Sequence, residues 1–303
     1  MFLSIIVLTY NQEKYISKTL ESILSQKHNY PYEIIIGEDC STDGTRKIIE
    51  QYASKYPDTI QPIYNNPNLG LLKNYYNVIS HCSGKYIMEC AGDDYWLPGK
   101  VTLQMDFMEK NPKIGMCYGN VLFINGKNNT IIKKENGNKE SFEELIKGNC
   151  IPTPTVCFKK EILDEYIKEI KPLEKKWLME DYPMWLYFSH KAQIKHLENN
   201  LAVYRVMTDS ASHSENDDRN IRFAVSVNDI QCYFANKYQI PIIHKNNNCV
   251  AFEYYYNKHN RIECKKIDWT NFPFKYKIRA FCSQFKVTWG LLHKIESILK
   301  HFK

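Results

Sequence analysis

The chain has 303 residues, 44% of them hydrophobic and 24% charged, and a formal net charge of +6. This is an ordinary globular composition, long enough to bury a real core, and it excludes collagen-like, repeat and low-complexity classes. No stretch approaches the ~18 apolar residues of a spanning helix, Met1–Leu8 lacks the basic lead of a signal peptide, and the 10 cysteines form no C-x-x-C pair, so buried free thiols in a reducing cytoplasm are expected rather than disulfides or zinc.

Leu3–Tyr10 reads as an apolar strand of the kind buried in a parallel sheet. Ile16, Leu20, Ile23 and Leu24 then recur at helical spacing. Tyr32–Glu38 is a second buried strand. The turn Ser41-Thr42-Asp43-Gly44-Thr45 opens a second helix, with Ser41 or Asp43 as its expected cap. Thr59–Tyr64 is a weaker strand, a helix ends near Cys82, and Lys85–Cys90 is a fourth strand. Strand and helix alternate with short connections, which predicts a doubly wound, mostly parallel sheet flanked by helices.

Beyond a helix over Val101–Glu109 the pattern is mixed. Ile114–Asn125 and Thr130–Lys134 suggest a hairpin around Asn125-Gly126. Val156–Lys159 reads as a short strand, a helix starts near Lys160, Asp181–Lys191 reads as helix and Ala202–Val206 as strand. From Asp217 onward the chain reads as helical and rich in aromatics. The expected organisation is a domain over residues 1–215, with a nucleotide-binding half over 1–96 and an acceptor half over 97–215, followed by a helical region over 216–303. Pro241–Lys303 carries 12 Lys/Arg against 4 Asp/Glu, whereas the rest of the chain has 28 against 30. Phe285, Leu291, Leu292, Ile295, Ile298 and Leu299 lie there among Lys286, Lys294, Lys300 and Lys303, a pattern that suits a helix on an anionic membrane, on the protein itself or on a partner.

Ligands of doubly wound sheets sit beyond the C-terminal ends of the strands. Those ends carry Thr9-Tyr10-Asn11, Glu38-Asp39 and Gly92-Asp93-Asp94. Converging carboxylates repel unless a cation or donors satisfy them. Mg²⁺ or Mn²⁺ held with a nucleoside diphosphate fits, since Mg²⁺ typically uses one or two carboxylates plus phosphate oxygens. The plainer reading has Asp93 and Asp94 capping the next helix. Neither a P-loop nor a G-x-G-x-x-G follows the first strand, which argues against the usual ATP and dinucleotide sites. No nucleic-acid-binding motif stands behind the basic tail.

The stretches SIIVLTYNQEKYI, EIIIGEDCSTDGT, NLGLLKNYYNVI and KYIMECAGDDYW, in this order and spacing, resemble the family 2 glycosyltransferases of GT-A fold, over about residues 1–210. The resemblance implies an inverting transfer of a sugar from a nucleotide-sugar, a UDP-sugar first among candidates, to a glycan or lipid-linked glycan of the bacterial surface. It places the nucleotide on Thr9, Tyr10, Asn11 and Asp39, with Glu38 beside them and Lys73 at the family's basic position. The D-x-D element aligns with Ala91-Gly92-Asp93. Its first acid is therefore missing, Asp93 is the implied metal ligand, and Asp94 assists or caps. Glu180-Asp181 matches the family's acidic pair, with Asp181 as the implied base. Asp181 is equally a good helix-start residue beside Pro183. Trp96 and Trp185 are either core or acceptor platforms, and Glu180 belongs to the same acceptor side. The family's Tyr-Arg-x-His reads Tyr204-Arg205-Val206-Met207 here, so a ligand role is doubtful at Met207; His213 either substitutes or is a plain loop residue. Met207–Asp218 is the expected closing loop.

A lapsed binding module of the same fold is the first rival, kept open by Ala91 and Met207. A nucleotidyltransferase is the second, disfavoured by the lack of a glycine-rich basic loop after the first strand. A basic tail on a cytoplasmic enzyme with a lipid-linked acceptor implies a peripheral position on the membrane's cytoplasmic face.

Overall fold

The computed structural model describes residues 2–132, 136–207, 216–242 and 245–300, the last four of these by backbone alone. The chain divides into two compact units, residues 1–208 and 209–303.

In the first unit β1 (Leu3–Thr9), α1 (Ile16–Leu24), β2 (Tyr32–Glu38), α2 (Thr45–Lys55), β3 (Ile60–Tyr64), α3 (Leu71–Ile79) and β4 (Tyr86–Ala91) alternate as expected. The strands pair in the parallel order β3-β2-β1-β4. Leu3, Ile5, Ile6, Val7, Ile34, Ile35, Ile36, Ile87 and Met88 are all buried, because helices cover both faces. Ile16, Leu20 and Ile23 turn the apolar stripe of α1 inward. Helix α3 packs so closely on β2 that a Cβ on Gly37 would lie 2.5 Å from both Asn74 Oδ1 and Val78 Cγ2.

Next come β5 (Tyr95–Trp96), α4 (Lys100–Lys110), β6 (Ile114–Asn125), β7 (Ile131–Ile132), α5 (Phe142–Leu145), β8 (Cys157–Lys159), α6 (Lys160–Ile170), α7 (Asp181–Lys191) and β9 (Gln193–Val206). They extend the sheet as β8-β6-β9-β5, with β7 paired to β6. The sheet becomes mixed here: β8 is antiparallel to β4 and β6, β9 is parallel to β6, and β5 is antiparallel to β9. The hairpin β6–β7 forms at Asn125-Gly126; Lys133 and Lys134 lie outside the described residues.

Three local expectations change. Strand β9 starts nine residues before Ala202, and β5 was not foreseen. Helix α2 is preceded by Gly44 at its cap position, yet Asp43 still satisfies its first N–H, accepting from Thr45 N at 3.0 Å. Helix α4 begins after Gly99, in the left-handed conformation that glycine favours, so neither Asp93 nor Asp94 caps it.

The second unit is helical: α8 (Asp217–Lys237), α9 (Asn247–Asn257), α10 (Arg261–Lys266), α11 (Phe274–Gln284) and α12 (Lys286–Lys300). Three helix starts are capped by asparagine side chains, Asn216, Asn246 and Asn260, each accepting an orphan N–H. Cys249, Phe252, Tyr256, Cys264, Phe272, Tyr276, Ala280 and Trp289 make its own core. Among the described residues, no helix is long and apolar enough to cross a membrane.

Candidate active site

The order β2-β1-β4 sets the three polar strand ends side by side, with Thr9 in register with Glu38 and Leu8 with Ala91. Asp39 is buried, and its carboxylate accepts from Leu69 N at 2.8 Å, Gly70 N at 2.9 Å and Asn65 Nδ2 at 2.9 Å. It thereby fixes the loop into α3, whose first turn carries the exposed Lys73. Gly70 has φ +78°, a backbone that suits glycine. The first loop is stitched to the second: Asn11 N donates to Ser41 Oγ, Thr42 N donates to Asn11 Oδ1 at 2.8 Å, and Gln12 N donates to Thr45 Oγ1 at 2.8 Å. Tyr10 stands exposed beside them.

Glu38 is a correction. Its carboxylate is fully buried and taken up by Arg46 Nε at 2.6 Å and Ser41 N at 2.6 Å, so it braces the second loop rather than facing a nucleotide.

The turn after β4 is held by three hydrogen bonds from two residues. Thr19 Oγ1 donates to Asp94 O at 2.6 Å, Arg205 Nε donates to Asp93 O at 3.0 Å, and Arg205 N donates to Asp94 Oδ1 at 2.8 Å. Arg205 itself is buried over the Tyr15 ring. Asp94 is thus buried against β9, its proton held well above the usual range by burial and by Asp93. That is a second correction, since a carboxylate engaged this way is a tie between β4 and β9 rather than an open metal ligand.

Asp93 is different. Burial raises its pKa, opposed by the Arg205 guanidinium and a hydrogen bond from Gln12. Thr9 Oγ1 and Gln12 Oε1, two buried polar atoms, have no hydrogen-bond partner. A Cβ on Gly92 would collide with both of these oxygens. The glycine lets both oxygens pack against the turn that carries Asp93. Among the described residues no cluster of three or more His, Cys, Asp or Glu could hold a metal by itself. A divalent ion at Asp93 would need further oxygens, such as those of a diphosphate.

Glu180 and Asp181 open α7 and keep part of their surface accessible. Asp181 accepts from Tyr182 N at 2.6 Å and from Asn149 Nδ2 at 3.1 Å. Burial raises its proton affinity against those bonds. Burial and the Asp181 charge push Glu180 up to about 8. Glu89 of β4, which the sequence reading passed over, completes an acidic group. It is buried, pushed up to about 8 chiefly by burial, and accepts from Tyr75 OH at 2.6 Å. The one signal for it was a lone acid inside the apolar run YIMEC. Lys100, also buried, is pushed down to about 8 by burial while donating to Gln104 Oε1 at 2.6 Å and Val156 O at 3.2 Å.

Trp185 and Trp96 are a third correction. Trp185 is wholly buried against Phe158 and Phe188, and Trp96 is buried with its indole N–H donating to Glu89 O, so both rings are core and neither offers a sugar a platform. A cavity of about 510 Å³ near Glu140, His190 and Lys195 lies at the end of α7 opposite Asp181. His213 and residues 208–215 of the expected closing loop lie outside the described residues.

The profile described as Glycosyl transferase family 2 matches residues 4–170. The uncharacterized protein Rv1520 of Mycobacterium tuberculosis is 30% identical over 224 residues, which cover 72% of this chain and 62% of that protein, so the chain spans less than two thirds of that relative. The Escherichia coli protein WfgD, named as a UDP-Glc:alpha-D-GlcNAc-diphosphoundecaprenol beta-1,3-glucosyltransferase, is 31% identical over 185 residues, 60% of this chain and 68% of its own. In fold the chain resembles S. aureus TarS 1–349 in complex with UDP-GlcNAc, with a TM-score of 0.59 at 16% identity over 93% of this chain and 79% of that one. It also resembles the mannosyltransferase PcManGT of Pyrobaculum calidifontis in complex with GDP-Man and Mn²⁺, with a TM-score of 0.58 at 13% identity over 98% of this chain and 79% of that one.

Proposed function

Because the chain belongs to glycosyl transferase family 2, we propose that it moves a sugar, with inversion, from a nucleotide-sugar to a hydroxyl of a glycan or lipid-linked glycan in bacterial surface-polysaccharide synthesis. The observation that carries this reading is Asp181. It stands partly open at the head of α7, oriented by Tyr182 N and Asn149, with a proton affinity raised by burial. Such a carboxylate is suited to take a proton from an acceptor hydroxyl. As that oxygen bonds to the anomeric carbon, the bond from carbon to the diphosphate oxygen breaks and the diphosphate leaves with the electron pair.

The donor is assigned to the strand ends and loops that carry Thr9, Tyr10, Asn11, Asp39 and Asp93, with the exposed Lys73 of α3 as its basic residue. A UDP-sugar is favoured by the names of WfgD and of the TarS complex. Mg²⁺ or Mn²⁺ bound at Asp93 with the donor would stabilise charge on the leaving diphosphate. The unpartnered Thr9 and Gln12 oxygens packed on Gly92, next to Asp93, support that assignment. A lipid-linked acceptor, as in WfgD's name, would put the work at the cytoplasmic membrane surface. Ala91, in place of an acid, favours one second reading, a module that binds nucleotide-sugar without turnover.

The test pairs the parent with Asp181→Asn. UDP- and GDP-sugars with Mn²⁺ are screened by thermal shift, and hydrolysis or transfer to lipid-linked glycans is then followed. The parent is expected to be stabilised by one donor and to turn it over. The variant should bind that donor equally and lose ~10²–10⁴ in rate. Undiminished turnover in the variant removes Asp181 from the chemistry, and binding without turnover in the parent supports the second reading.

A further inference from the structure

We propose that the outer face of α11 and α12 is a docking surface for an anionic lipid bilayer. Both helices bury one side and expose another that is also apolar. Inward, α11 sends Tyr276 and Ala280 and α12 sends Trp289 into the core of the second unit, with Leu292 packed against it. Outward, Phe274, Ile278 and Phe281 recur along α11, Phe285 follows it, and Val287, Leu291 and Ile295 recur along α12. Phe274 and Val287 are 80% and 82% exposed. The Phe281 and Phe285 rings meet edge to face, their centroids 5.6 Å apart, and join the two rows. Solitary exposed apolar side chains need no explanation; a continuous double row does.

Charge decides what covers it. No Asp or Glu occurs from Phe274 to Ile295, while Lys275, Lys277, Lys286 and Lys294 are all exposed there. Arg279, the remaining base, is turned inward and paired with Glu296 at 2.8 Å. Burying the face against a second copy in an isologous pair would set these lysines against lysines. A bilayer carrying acidic headgroups meets both needs. The apolar rows enter the boundary of the acyl chains, and the lysines lay their stems on that boundary with their ammonium groups at the phosphates. The helices lie along the surface, as no described helix is suited to span.

This inference stands apart from the glycosyl-transfer reading, since its test needs neither donor nor acceptor. The full chain is floated with vesicles of phosphatidylcholine alone and of phosphatidylcholine mixed with phosphatidylglycerol. Binding is expected to the mixed vesicles only, and to weaken with salt. Replacing Lys275, Lys277, Lys286 and Lys294 with Gln should reduce it by about three orders of magnitude. A second variant, Phe274→Ser with Phe281→Ser and Leu291→Ser, should abolish it with helicity and melting unchanged, because all three side chains lie outside the core. No flotation with either vesicle, or equal flotation with both, overturns the proposal. So does a dimer in solution that the serine variant dissociates, for then a second copy covers the face.

Discussion

Glu38 and Asp39 at the end of β2 form one acidic group, and Glu89 of β4 with Glu180 and Asp181 at the head of α7 form another. They are treated in opposite ways. The first two are saturated with donors: Arg46 and Ser41 for Glu38, Leu69, Gly70 and Asn65 for Asp39. The other group is governed by burial and by its own like charges. Glu89 has the Tyr75 hydroxyl, Asp181 has Tyr182 and Asn149, and their mutual repulsion is part of what lifts Glu89 and Glu180 to about 8. Glu38 and Asp39 hold loops in place, whereas burial raises the proton affinity of Glu89, Glu180 and Asp181, and proton-handling chemistry draws on groups of the second kind.

That contrast gives substitutions of opposite sign. Asp39→Ala has the largest expected effect. It strands two backbone N–H groups and an amide, and should cost about 3 kcal/mol in a denaturant melt; a loss below about 1 kcal/mol would show that water replaces the carboxylate. Glu89→Gln should act the other way. A carboxylate whose pKa is raised by folding, here from 4.5 to about 8, favours the fold fully at low pH and loses that contribution as pH rises through about 8. The glutamine variant should therefore gain on the parent by ~1–2 kcal/mol between mildly acidic and mildly alkaline buffers. A flat difference across that range would mean that Glu89 is ionised throughout. Lys73→Ala is the smallest. Its exposed side chain should change stability by less than ~0.5 kcal/mol, while weakening nucleotide-sugar binding about fivefold in a salt-dependent way. Unchanged affinity at low salt would place Lys73 outside the site.

Most of the first unit was legible because its strands are runs of Ile, Val and Leu bounded by turn residues. Buried parallel strands cannot be written any other way. Strand β9 was half missed because its first part, Gln193–Asn200, is polar and meets β6 through register shifts that break any alternation. Strand β5 is two residues long and exists through its pairing with Val203 and Ala202. At the site, strand-end position pointed to Asp39 and Asp93, and family resemblance to Asp181. The use of Glu38 and Asp94 as ties, and the burial of Trp96 and Trp185, depend on contacts with distant segments. No local pattern reports these. Glu89 was overlooked for the same reason: a strand pattern gives the alternation of its side chains but not what the opposite elements bring to each face.

The hydrogen bond between Arg205 N and Asp94 joins positions 111 apart. It bears on the order in which the protein becomes competent as it leaves the ribosome. Strands β1 to β4 leave the ribosome before β9 has been translated, but a domain folds as a unit. The Asp93 turn, however, lacks its arginine strap until residue 205 is out. That turn therefore takes its final form only when the last strand of the sheet is in place.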